Sequence, residues 1–192
     1  YDALLTSDIV GFARPVSSWI HESRNAGTVA ADAARAVQAA RTAPGGIATL
    51  ILPADTAWNP AERAAQALPD IGPSMVDHCT IEGVARLLSN GKKSALLLRG
   101  KAQRGEGLEA AGRIQAKTGT RLLRDTFAPH SELGAGRVPL ERIPYFAEDI
   151  RAFLQDIEQI VLVGAKPPVS FFAYPGKPSW PAPDTCSFSY LA

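Results

Sequence analysis

The stretch IVLVGAKPPVSFFAYPGKPSW, residues 160–180, decides how this chain folds. Ile160, Val161, Leu162 and Val163 form an unbroken apolar run, the mark of a strand covered on both faces, and Gly164 stops it. Pro167 and Pro168 exclude a central strand beyond that point. A second apolar run, residues 169–174, leads into a tail punctuated by Pro175, Gly176 and Pro178 before Trp180. A strand end opening into a Gly/Pro-rich connection is where open α/β sheets place their ligand crevices.

Working outward, Ile150, Phe153, Leu154 and Ile157 recur at helical spacing and predict a helix over 146–157. Residues 94–98 read as a strand covered on both faces, and 121–124, 140–143 and 187–191 as further strands. A helix is predicted over 107–117 with Gly119 as its stop. Thr80 caps another, whose Ile81, Val84, Ala85 and Leu88 share one stripe and which Asn90-Gly91 ends. Strands alternating with helices imply right-handed βαβ units, hence an α/β fold: a Rossmann-like parallel sheet with helices on both faces, over 77–192.

Nearer the N-terminus, Thr28 caps a predicted helix over 28–41, with Val29, Ala33, Val37 and Ala40 on one side. Pro44-Gly45-Gly46 ends it, and residues 47–52 form a short strand stopped by Pro53. One helix and one strand cannot enclose a core, so residues 1–55 read as a partial α/β domain. Residues 56–76, with Pro60, Pro69, Gly72 and Pro73, read as a linker holding a short helix over 61–68. The chain starts at Tyr1 as if within an element, and a piece of a longer protein is expected.

A net charge of +1 over 192 residues gives no electrostatic footprint for nucleic acid or an anionic membrane. The apolar runs are far shorter than the roughly 20 residues a spanning helix needs. No basic-then-apolar leader is present, and two cysteines, Cys79 and Cys186, are too few for a disulfide framework. The reading therefore places the chain in the cytoplasm.

The best local motif is Gly105-x-Gly107-x-x-Ala110, with Asp125 where a dinucleotide fold puts its ribose-binding carboxylate. It starts several residues after the strand at 94–98, and Glu106 sets a negative charge where a pyrophosphate would lie. Arg99, Lys101 and Arg104 could offset that charge. A glycine-containing connection with a solvated acidic cap is the favoured reading, a nucleotide-binding module the alternative. Phosphate loops of the GxxxxGK[ST] kind fail at Arg86 and at Phe171. Asp77, His78 and Cys79 are consecutive, so their side chains do not converge. His21 is isolated, His130 falls in a loop at the ligand edge of the sheet, and no metal-ligand spacing occurs. Phe171, Phe172, Tyr174 and Trp180 lack a basic groove and read as packing against the sheet rather than a stacking platform. Lys166, just past Gly164-Ala165, is a solvated turn lysine or a neutraliser of phosphate or carboxylate.

The order of GGIATLILPAD (45–55), a proline-rich linker, TIEGVARLLSNGKKSALLLRG (80–100) and VGAKPPVSFFAYPGKPSW (163–180) resembles thiamine diphosphate (ThDP)-dependent enzymes of the acetolactate synthase large-subunit type. These also include benzoylformate decarboxylase-like 2-keto acid enzymes. The resemblance implies that 1–55 is the C-terminal part of a pyrimidine-binding domain and 77–192 the central Rossmann-like domain. It implies a parent needing ThDP and Mg²⁺, performing decarboxylation or carboligation, and assembling as a homo-oligomer, dimer or tetramer. The glutamate that activates the cofactor would lie before Tyr1. The G-D-G motif and asparagine that hold Mg²⁺ and diphosphate would lie in a third domain after Ala192. The only similar tripeptide is Gly105-Glu106-Gly107, and no asparagine follows Asn90. No catalytic residue and no metal ligand is therefore expected here, and the segment alone is expected to be structural and inactive, its partners the remaining domains of the parent. Some members bind the ADP part of FAD across the strand ends of the central domain. The matching places are Arg99, Gly100, Lys101 and Gly164, Ala165, Lys166, where Arg99-Gly100-Lys101 replaces a run of glycines and leaves FAD binding open.

Overall fold

Five consecutive residues with every side chain buried, Ser94–Leu98, form strand β3 at the centre of the larger sheet. The computed structural model describes residues 4–192 and divides into two compact units, Tyr1–Ser74 and Met75–Ala192. No helix among the described residues is long and apolar enough to cross a membrane.

In the first unit, β1 (Trp19–Glu22) and β2 (Ala48–Ile51) pair in parallel, Trp19 opposite Ala48. The helix between them is α2 (Ala26–Arg41), and two short helices flank the pair, α1 (Ile9–Ala13) and α3 (Ala54–Trp58). β1 has no counterpart in the sequence pattern, because its half-buried Trp19, Ile20 and His21 and exposed Glu22 show neither alternation nor a fully apolar run. Asn25, not Thr28, caps α2: its side chain accepts from the Thr28 amide. Residues 61–68 form no helix. Asp32 on α2 is buried and accepts from the Ser23 hydroxyl at 3.0 Å, with His21 Nε2 at 3.3 Å. Burial opposes its ionisation, but hydrogen bonds from Ser23 and Thr28 and the charges of His21 and Arg35 hold its pKa below the ordinary carboxylate value.

In the second unit, α4 (His78–Leu88) precedes β3. A single 3₁₀ turn, Gly100–Gln103, leads into α5 (Gly105–Thr118) and β4 (Arg121–Arg124). β5 (Glu141–Arg142), α6 (Ala147–Leu154), β6 (Gln159–Val163) and β7 (Ser187–Tyr190) follow. The sheet order is β5-β4-β3-β6-β7, with every pair parallel. Ala95, Leu97, Leu123, Ile160 and Leu162 face Ile150, Leu154 and Ile157 on one side. Leu96, Leu98, Leu122 and Val161 face Val84, Leu88, Leu108 and Ala111 on the other. The expected α/β architecture, a parallel sheet with helices on both faces, is the one found.

Local differences have simple causes. Asp77, not Thr80, caps α4, accepting from the Thr80 amide at 2.8 Å and the Thr80 hydroxyl at 2.6 Å. A carboxylate there satisfies two donors, so the threonine becomes the third helical residue. α5 begins at Gly105 and ends where Gly119 takes the left-handed conformation (φ 73°). α6 stops at Leu154, short of Ile157, which is buried all the same.

A Cβ on Gly107 would lie 2.9 Å from the Lys101 carbonyl oxygen and 3.0 Å from Ala102 Cα, while one on Gly83, within α4, meets nothing within 4 Å. Gly107→Ala should therefore destabilise the chain by about 1–3 kcal/mol, since backbone must move. Gly83→Ala should stabilise it by about 0.5–1 kcal/mol through helix propensity. Thermal denaturation of the two variants checks both signs.

Candidate functional site

β3 and β6 are neighbours, yet the chain leaves β3 towards β4 and leaves β6 towards β7. Their C-terminal ends form the topological switch point where open α/β sheets bind ligands. The Arg99 amide donates to the Val163 carbonyl at 3.0 Å, and a Cβ on Gly164 (φ 64°) would sit 3.2 Å from the Arg99 carbonyl oxygen. A side chain at 164 would thus be strained, by the left-handed backbone and by the tight approach of the Arg99 carbonyl. Arg99 and Gly164 are together, as the sequence places them. Gly100 and Lys101 begin the 3₁₀ turn, Lys101 and Lys166 are exposed, and Ala165 is buried.

What fills the crevice is the chain itself. The Gly164 amide donates to the Ala192 carbonyl at 2.7 Å. The Arg99 guanidinium lies 3.6 Å from the Asp125 carboxylate at the end of β4. At the start of α5, where a phosphate would meet a helix N-terminus, the Gly105 amide donates to Glu132 Oε2 at 3.2 Å, and Arg137 pairs with the same oxygen at 3.0 Å. Gln103, fully buried, ties this corner together. Its side-chain amide donates to the Leu98 carbonyl at 2.5 Å and its oxygen accepts from the Ser131 hydroxyl at 2.5 Å. Gln103, Ser131 and Glu132 escaped sequence reasoning, because partners 27 and 28 positions apart leave no local pattern. The GxGxxA motif is accounted for by packing: Gly107 lets α5 start directly against the 3₁₀ turn.

No family model matches the sequence. Along all of its length the chain is 44% identical to a protein of Mycobacterium tuberculosis (strain ATCC 25618 / H37Rv) assigned as an acetolactate synthase large subunit, IlvX; the match covers 37% of that protein. The fold matches a Mycobacterium smegmatis structure assigned as a thiamin diphosphate-dependent enzyme, with a TM-score of 0.74 and 20% identity, over 98% of this chain and 36% of that one. It matches benzoylformate decarboxylase from Polynucleobacter necessarius with a TM-score of 0.72 and 18% identity, over 98% of this chain and 35% of that one. The chain is thus similar over its whole length to an acetolactate synthase large subunit, and in fold to ThDP-dependent enzymes. It spans a little over a third of the length of these relatives.

Set beside those relatives, the described residues do not fit a ThDP diphosphate with a metal ion. Gly105-Glu106-Gly107 is the first turn of α5, with Glu106 exposed, rather than a metal-binding loop. No group of three His, Cys, Asp or Glu side chains among the described residues is placed to hold a metal ion. The other reactive types are dispersed. His78 faces Glu82 at 3.3 Å, Cys79 is exposed, Asp77 serves as a cap, and His130 is exposed. Both cysteines are free.

The aromatic run differs from its expectation. Phe171, Phe172 and Tyr174 do not pack on the sheet; they join Phe127, Tyr145 and Phe146 in an exposed cluster with ring centroids 4.8–5.6 Å apart. Aromatic edges and faces satisfy one another there without a core. Only Trp180 meets the sheet, edge-on to Phe188 of β7 at 5.1 Å.

Burial pushes the Asp125 carboxyl above its ordinary value of 3.8, and the Arg99 charge offsets this only in part. The folded state therefore holds the Asp125 proton more tightly than the unfolded chain, and this residue's contribution to stability falls as pH rises from about that value. Asp125→Asn should gain stability relative to the unaltered chain as pH rises through this window, read as the difference in urea midpoints. A difference that is flat or slopes the other way contradicts the assignment.

Proposed function

We propose that this chain is part of a ThDP- and Mg²⁺-dependent 2-keto acid enzyme of the acetolactate synthase type. In that reading residues 1–55 are the end of the pyrimidine-binding domain, 56–76 the connection and 77–192 the central domain. The observation that carries it is 44% identity sustained over the whole chain to a protein assigned to that class. The parent would decarboxylate a 2-keto acid and either release an aldehyde or transfer the two-carbon unit to an acceptor, in the cytoplasm, as a dimer or tetramer. ThDP supplies the electron sink for that chemistry when bound.

The part played by this chain is structural: it supports the flanking domains. Arg99, Gly100, Lys101, Gly164, Ala165 and Lys166 are the positions where the ADP portion of an FAD would meet the sheet. The contacts from Ala192, Asp125 and Glu132 support the reading in which that crevice is sealed from within. A free-standing nucleotide-binding module is correspondingly disfavoured, since Glu132 holds the amide a phosphate would need.

The test is pyruvate consumption by the purified 192-residue chain with saturating ThDP and Mg²⁺. No turnover above the protein-free rate is expected. Measurable turnover, with carbon dioxide released in proportion, would overturn the structural role.

A further inference from the structure

A second concentration of positive charge lies on the sheet edge away from the switch point. Arg124 and Arg142 are register partners in the parallel pair of β4 and β5. Partners in a parallel ladder project from the same face, and like charges placed so are unfavourable. Arg124 follows Leu122, and Arg142 follows Leu140, by two positions, which puts both arginines on the α5 side of the sheet. The Nε of Arg124 is buried, and among the described residues it is the one buried side-chain nitrogen or oxygen without a hydrogen-bond partner. Such an orphan requires an explanation.

The neighbouring acids do not supply one. Asp125 faces Arg99 at 3.6 Å, and both Glu141 oxygens accept from Arg121, at 3.0 and 2.6 Å. Both acids are offset by one residue from the arginine pair and so lie on the opposite face. Glu132 is held by Arg137. Two arginines at register positions on one face, Arg124 half-buried and Arg142 exposed, are thus left with no carboxylate among the described residues within ion-pair distance of either. Paired guanidinium groups at a strand C-terminus are suited to an oxyanion, which can accept from both forks at once.

We propose that Arg124 and Arg142 together form a binding site for a phosphate monoester-type dianion, separate from the crevice between β3 and β6. Two fixed positive charges match a dianion, whereas a monocarboxylate would leave one uncompensated. The tetrahedral group also offers enough oxygens to accept from both guanidinium groups. The site does not depend on the enzymatic reading above, because it uses none of the residues assigned there.

The experiment is calorimetric titration of the full chain with inorganic phosphate at constant ionic strength, using acetate as the monoanionic comparison. Saturable one-to-one binding is expected, weakened at least tenfold by Arg124→Gln and by Arg142→Gln. It should be unchanged in Arg151→Gln, an exposed arginine on α6. Arg142 is exposed, so its variant preserves the test should Arg124→Gln fail to fold by circular dichroism. Absence of saturable phosphate binding, equal weakening in Arg151→Gln, or acetate binding as tightly as phosphate would each overturn the site.

Discussion

The parallel pairing of β3 with β6 is the constraint on which the larger unit depends. Ser94–Leu98 lies opposite Gln159–Val163 over its whole length, and almost every side chain of both strands is buried. Strands so placed must be apolar on both faces, which draws α4 and α5 to one side and α6 to the other. The pair also fixes where the strands end. Because Val163 accepts from the Arg99 amide, residues 99–101 and 164–166 leave the sheet from one point. The left-handed backbone and the close Arg99 carbonyl favour glycine at 164.

That geometry creates a crevice, and electrostatics decides what becomes of it. In a dinucleotide-binding fold the helix following the first strand presents free amides to a phosphate. Here Glu132 occupies the amide of Gly105, with Arg137 behind it, and Ala192 takes the amide of Gly164. The chain's own groups thereby take the amides that a ligand would meet at this point of the sheet. Arg124 and Arg142, register partners on β4 and β5, lie away from this point.

The central strands were legible because full burial leaves a compositional trace: no polar residue interrupts Ala95-Leu96-Leu97-Leu98 or Ile160-Val161-Leu162-Val163. β1 left none, since a half-buried strand containing His21 and Glu22 carries no such run. The caps went to threonine because Asp77 and Asn25 each stand three residues ahead of one, and either type can cap a helix. The positions around the crevice were legible as strand ends, but its closure was not. Gln103, Ser131 and Glu132 meet only after the chain has folded back through β4. Phe171, Phe172 and Tyr174 misled in another way: their hydrophobicity is satisfied by neighbouring rings at the surface, which composition cannot distinguish from a core.

The claim that β3 and β6 form the keystone of the larger unit is tested most directly by native-state hydrogen exchange. The amides of Leu96, Leu97, Ile160, Val161 and Leu162 should exchange only through global unfolding, with the free energy found by denaturant titration. Those of β5 and β7 should open at lower cost. Exchange of the β3 and β6 amides through local opening, at or below the protection of the edge strands, would contradict the account.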